Sequence, residues 1–140
     1  MNAPRTYAEI REGEELPPQE RLPTHRKVLM FIGASWQWVP QFHEQATAER
    51  MGLEGPIVPG PARMAFLEQF LRRWLGGAGT LKRIHVTHRR PDYHDRPITI
   101  GGTVTRKYEE EGGKLVDFEL WIENQAGLPS VRGNATVAFD

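Results

Sequence analysis

The chain contains no cysteine, which removes disulfides, thiolate nucleophiles and cysteine-ligated zinc together. It carries no excess of either charge: 18 Lys+Arg balance 18 Asp+Glu, so the composition offers no broad basic field for nucleic acid. No run approaches the roughly 18 apolar residues of a membrane span, and the opening MNAPRTYAEIREGEEL lacks the apolar centre of a signal peptide. Internal repeats, low-complexity tracts and linkers between halves are also missing. One globular domain over residues 1–140 is therefore expected, with a cytoplasmic location as the default.

What the sequence does have is a change of period. Residues 1–17 are polar and read as an extended lead-in, with one short strand near Pro18–Leu22. Thr24 is placed to cap a helix whose apolar face is Val28, Leu29, Phe31 and Ile32 and which Gly33 ends. WQWVPQFHE follows neither period because Pro40 interrupts it, and a second short helix is expected over Gln45–Met51. Met64, Leu67, Phe70, Leu71, Trp74 and Leu75 then recur at three- and four-residue spacing, giving a central helix over 61–75 that Gly76 and Gly77 stop.

From Thr80 the period becomes two. Ile84/Val86, Ile98/Ile100/Gly102/Val104, Val116/Phe118/Leu120/Ile122 and Val131/Gly133/Ala135/Val137/Phe139 read as antiparallel strands within 81–139. Glu111–Lys114 and Asn124–Gly127 have the composition of hairpin turns. Asp117, Glu119 and Glu123 alternate with the apolar set of the third of these strands, so one sheet face is wet. The fold class is α+β, a sheet packed on one long helix. A ferredoxin-like sandwich is the alternative, but it needs a second long helix after residue 80 and none is visible.

Three segments together resemble the MaoC-like hot-dog family of (R)-specific enoyl-thioester hydratases and 3-hydroxyacyl dehydratases. YAEIREGEELPP…RLPT is similar to the family's lead-in, and Pro91 and Asp95 in HRRPDYHDRPITIGGTVT to its P-x-x-x-G-D-x-(I/L)-T entry. The central segment resembles G-A-S-G-D-F-N-P-I-H-x-D-x-x-x-A-x-x-x-G-x-x-x-P-I-x-H-G without a gap from Gly33 to Gly60, through Ala34, Ser35, Pro40, Ala48, Gly52, Pro56 and Ile57. The resemblance implies a single hot-dog domain, an antiparallel sheet wrapped around a central helix. It implies a dimer formed across the sheet edge, as a homodimer or with another hot-dog subunit. The ligand it implies is an acyl thioester of coenzyme A or of a carrier protein, with no metal and no cofactor.

The family's Asp and His are replaced here by Gln37 and Phe42, and its second His by Pro59. Addition of water to an enoyl thioester needs one group to activate water and one to exchange the α-proton. Gln does not accept a proton at neutral pH and Phe cannot exchange one. The resemblance leaves His43 as a displaced acid/base, provided that a bulge in VPQF turns it inward, with Glu44 or Gln37 assisting. Gly60 stands as the amide donor to the thioester oxygen, and Trp38, Phe42 and Pro59 as substrate-binding neighbours. Trp36, Trp38 and Phe42 form either an acyl-binding wall or a packed loop.

Other candidates have plainer readings. Glu68 is either a pocket carboxylate or a solvated residue, and Arg63, Arg72 and Arg73 either receive coenzyme A phosphates or are surface charges. His85 and His88, three apart on a strand, fall on opposite faces and make a poor metal pair. His94 and Asp95 lie at a ligand mouth or cap the next strand. Two further readings stand beside the hydratase: a catalytically silent subunit that binds acyl chains or supports a competent partner, and a thioesterase.

Overall fold

Pro17 and Pro18 cannot donate ladder hydrogen bonds, so a strand that contains them belongs at a sheet edge. In the computed structural model, which describes residues 2–140, strand β1 (Glu15–Arg21) is such an edge. It pairs with β3 (Ile98–Glu110), and the register shifts between Leu16 and Gln19, where the two prolines sit. β4 (Gly113–Glu123) and β5 (Pro129–Phe139) follow β3 as a meander, and β2 (Thr80–His88) closes the other edge, giving the antiparallel order β1-β3-β4-β5-β2. The first strand starts three residues earlier than the prolines suggest. The lead-in before it includes a 3-10 turn at Tyr7–Glu9 rather than being extended throughout, and Met1 of the 1–17 segment lies outside the described residues.

Helix α1 (His25–Ser35) is capped as expected, Thr24 Oγ1 accepting from the Lys27 amide at 3.3 Å. It does not stop at Gly33. Ile32 is fully buried, the helix runs on to Ser35, and Trp36 takes the left-handed cap conformation at φ 58°. Glycine within a helix costs about 1 kcal/mol, which burial of one face readily offsets. Short helix α2 covers Gln45–Arg50, and α3 covers Gly60–Leu75. Gly76, at φ 64°, caps α3 where the expected glycine pair stands; a side chain there would lie 2.2 Å from the Ala3 carbonyl oxygen, because the lead-in crosses this helix end.

The core lies between α3 and one face of the sheet. Leu67, Phe70, Leu71, Trp74 and Leu75 meet Ile100, Val104, Val116, Phe118, Leu120, Ile122, Val131, Ala135 and Val137, all buried. Trp74 packs edge-on to Phe118 with ring centroids 5.8 Å apart. A second, smaller apolar cluster joins α1 to the start of α3 through Val28, Ile32, Val58 and Ala62. It fixes where the first turn of α3 begins. Among the described residues, no helix is long and apolar enough to cross a membrane.

Candidate active site at the start of the central helix

The segment that enters α3 is pinned from both sides. The Ile57 amide donates to the Gln41 carbonyl at 3.1 Å and the Val58 amide to the Asp92 carbonyl at 2.8 Å, while Val58 and Pro59 are buried. Gly60 is the first helical residue, so its N–H has no intrahelical acceptor, and among the described residues nothing else accepts from it. Pro61 removes the next donor. The Gly60 amide is thus the outermost of two free amides, with Ala62, at the positive end of a 16-residue helix.

A histidine stands against it. β2 pairs with β5 so that Ile84 faces Ala135, Val86 faces Gly133 and His88 faces Val131. Directly opposed residues share a sheet face, and Ala135 and Val131 are core residues, so His88 stands at the end of that row, where the strand leaves the core and its side chain is exposed. Its Nε2 lies 2.9 Å from where a Cβ of residue 60 would be, and Cδ2 and Cε1 lie at 3.3 Å. Only glycine leaves the imidazole this place. Among the described residues, neither ring nitrogen of His88 has a hydrogen-bond partner. Partial burial, and then the nearby Arg63 guanidinium, lower the His88 pKa below the ordinary histidine value, with Asp92 opposing.

Arg63, one turn into α3, is not the surface charge that its helical position suggests. It is 5% exposed, and its Nη1 donates to the Arg90 carbonyl at 2.7 Å and to Asp92 Oδ2 at 3.1 Å. Asp92 is 2% exposed. Arg63 Nε and Asp92 Oδ1 are buried without partners. Arg72 and Arg73 remain exposed, and Arg72 pairs with Glu68 at 2.8 Å along the helix. The buried Arg63–Asp92 pair lies near enough to His88 to act on its charge.

The residues of the central motif divide between packing and a second cavity. Pro40–Phe42 forms a 3-10 turn, and Phe42 packs against the Val28, Ile32, Val58 and Ala62 cluster. Gln37 is half-buried, its carbonyl accepting from the Val39 amide at 2.7 Å. Trp36 is 81% exposed and Trp38 50%; the Trp38 ring meets Trp36 edge-on at 6.4 Å and His43 at 5.8 Å. The Glu44 carboxylate is exposed and accepts from Thr47 Oγ1 at 2.6 Å at the start of α2. Pro59 is the residue before the first turn of α3.

His43 lines a cavity of about 290 Å³ together with His25, Glu54, Tyr93, His94 and Arg96; Gly60 is not among its lining residues. Within it the Nδ1 atoms of His25 and His94 are 2.8 Å apart, and His94 Nε2 lies 3.3 Å from the Ile57 carbonyl oxygen. A carbonyl only accepts, so His94 carries its proton on Nε2, and His25 Nδ1–H donates to His94 Nδ1. His94 is 9% exposed, and burial is the main cause that lowers its pKa. Asp95 does not cap the following strand. Its Oδ1 accepts from the His25 amide at 3.0 Å and so helps to cap α1.

No protein-family model matches the sequence, and no curated protein matches it either. Solved structures do. An (R)-hydratase from A. caviae involved in PHA biosynthesis superposes with a TM-score of 0.84, covering 94% of this chain and 98% of that one at 20% identity. The monoamine oxidase regulatory protein from Archaeoglobus fulgidus gives 0.86, with 99% and 95% covered, at 16% identity. The ChsH1–ChsH2 complex from Mycobacterium tuberculosis gives 0.82, with 92% and 98% covered, at 17% identity. The chain has the hot-dog fold. Others that share it include MaoC-like dehydratases and the HadBC (3R)-hydroxyacyl-ACP dehydratase complex. In this hot-dog domain the expected sheet wraps the expected helix. The grouping of His88, Arg63 and Asp92 at Gly60 is what motif comparison did not reach. Its signal was the parity of β2: Ile84 and Val86 lie on the core-side face, and so must His88.

Proposed function

We propose that this protein is a hydro-lyase acting on an enoyl or 3-hydroxyacyl thioester, with the Gly60 amide receiving the thioester oxygen. The observation that carries this reading is the free Gly60 N–H at the N-terminus of α3, in a fold shared with hydratases and dehydratases. Hydration or dehydration of a thioester passes through enolate-like charge on its carbonyl oxygen. A fixed N–H reinforced by a helix dipole stabilises that charge without reorganising. Removing one such donor in acyl-transfer enzymes costs about 10²–10³ in kcat.

Purified protein offered enoyl-CoA substrates of short, medium and bulky polycyclic chain is the test. Formation of the 3-hydroxyacyl thioester supports the reading, and no hydration of any of them, alone or with a second hot-dog subunit, overturns it. Release of free thiol in place of hydration would make the protein a thioesterase.

One observation favours a second reading, a silent subunit that binds acyl chains or supports a competent partner. Phe42, at the position of the family's histidine, is spent on an apolar cluster, and two of the similar structures are complexes of hot-dog chains. Co-expression with a hot-dog protein that has both dyad residues, followed by native mass measurement, decides it. A hetero-complex with activity only in the partner supports the silent role, and an active homodimer excludes it.

A further inference from the structure

The thioester reading supplies an oxyanion donor but leaves the proton unassigned. Gln37 and Phe42 cannot carry it, and Glu44 is exposed and bonded to Thr47. We infer that His88 is the single acid/base residue of this site, serving the same thioester whose oxygen rests on Gly60; the inference rests on that reading.

Three independent observations converge on His88. It ends β2 on the sheet face that Val131 shares, exposed to solvent at the rim of the core. Its Nε2 lies 2.9 Å from where a Cβ of residue 60 would be, so a larger residue there would displace the imidazole. The buried Arg63–Asp92 ion pair is near enough to act on its charge. The groups that face the imidazole are the Gly60 end of α3, Arg63 from the same helix and Asp92 from the segment after β2. Partial burial and then Arg63 disfavour imidazolium, while Asp92 favours it, and the net shift is downward.

The balanced sequence needs one histidine. With the enoyl thioester oxygen on the Gly60 N–H, neutral His88 Nε2 takes a proton from water as the water oxygen bonds to the β-carbon. The C=C pair moves toward the carbonyl, giving an enolate held by Gly60. The imidazolium then returns its proton to the α-carbon and the thioester reforms. Water is added across the double bond, no oxidant or reductant takes part, and dehydration is the reverse.

The test compares the wild-type chain with His88→Gln, His88→Asn and His88→Ala on the best enoyl-CoA, with a saturated acyl-CoA of the same length to measure binding. General acid/base groups contribute about 10²–10⁴-fold, so the expected result is a loss in kcat of at least about a hundredfold with binding of the saturated thioester unchanged. Added imidazole should restore part of the rate to His88→Ala. The wild-type rate should follow an ionisation below the ordinary histidine value that disappears in the variants. Wild-type activity that survives in a folded His88→Gln or His88→Asn overturns the inference and leaves the thioester reading standing. A wild-type chain inactive on every thioester overturns both. Loss of saturated acyl-CoA binding in all three variants makes His88 a binding residue and also overturns the inference.

Discussion

Two groups of histidines lie on either side of the segment from Ile57 to Gly60, and they are used in opposite ways. His25 and His94 bond to each other and to the Ile57 carbonyl; three of their four ring nitrogens are committed to structure. His88 commits none. A satisfied buried polar network fixes geometry, whereas a nitrogen without a partner beside a free amide is available for a ligand. His43 lines the cavity with His25 and His94, but like His88 its ring bonds to no protein group among the described residues. What sets His88 apart from His43 is its place against Gly60, which the cavity lined by His43 does not reach.

The largest expected effect comes from the buried Arg63–Asp92 pair near His88. Arg63→Ala leaves Asp92 as a buried, uncompensated charge and should destabilise the fold by about 3–5 kcal/mol, read from urea denaturation at neutral pH. If stability changes little, the pair is not buried as described.

His94→Ala removes the donor to Ile57 and the acceptor of His25, and should cost about 1–3 kcal/mol. It should also flatten the dependence of stability on pH. In the folded chain the His94 pKa lies below the ordinary value of 6.5, so the unfolded chain binds more protons in the window between the two. Stability from this group is then complete above pH 6.5 and is lost as pH falls through the folded value. Denaturation midpoints at pH 7 and pH 5 should differ in the wild type by more than in His94→Ala. An identical drop in both would remove His94 from the account.

His25→Ala leaves His94 Nδ1 without its donor, and a loss of about 0.5–1.5 kcal/mol is expected. The smallest effect belongs to His43→Ala, which should change stability by less than about 0.5 kcal/mol and leave the hydration rate within a few-fold. A large loss of rate with intact stability would move the acid/base group to the other cavity and restore the displaced-histidine assignment.

Much of the fold was legible because its signals are periodic. The spacing Leu67, Phe70, Leu71, Trp74 marks a helix, Val116 to Ile122 marks a half-buried strand, and Gly76 marks the helix stop. What was not legible depends on tertiary context. Gly33 reads as a terminator, yet burial of Ile32 carries α1 past it. Arg63 reads as a surface charge, yet the fold brings Asp92 across 29 residues to pair with it. Of the site, Gly60 was visible through the motif. His88 was visible only as a parity, since nothing in sequence says that the end of β2 lies over the start of α3.

The most direct test of the central claim, that a thioester is received where Gly60 meets His88, is a histidine-ring nitrogen NMR titration of the wild-type chain with saturated acyl-CoA. The account predicts that the His88 resonances shift on binding while those of His25 and His94 stay in place. Shifts at His25, His43 or His94 with His88 unmoved would contradict it.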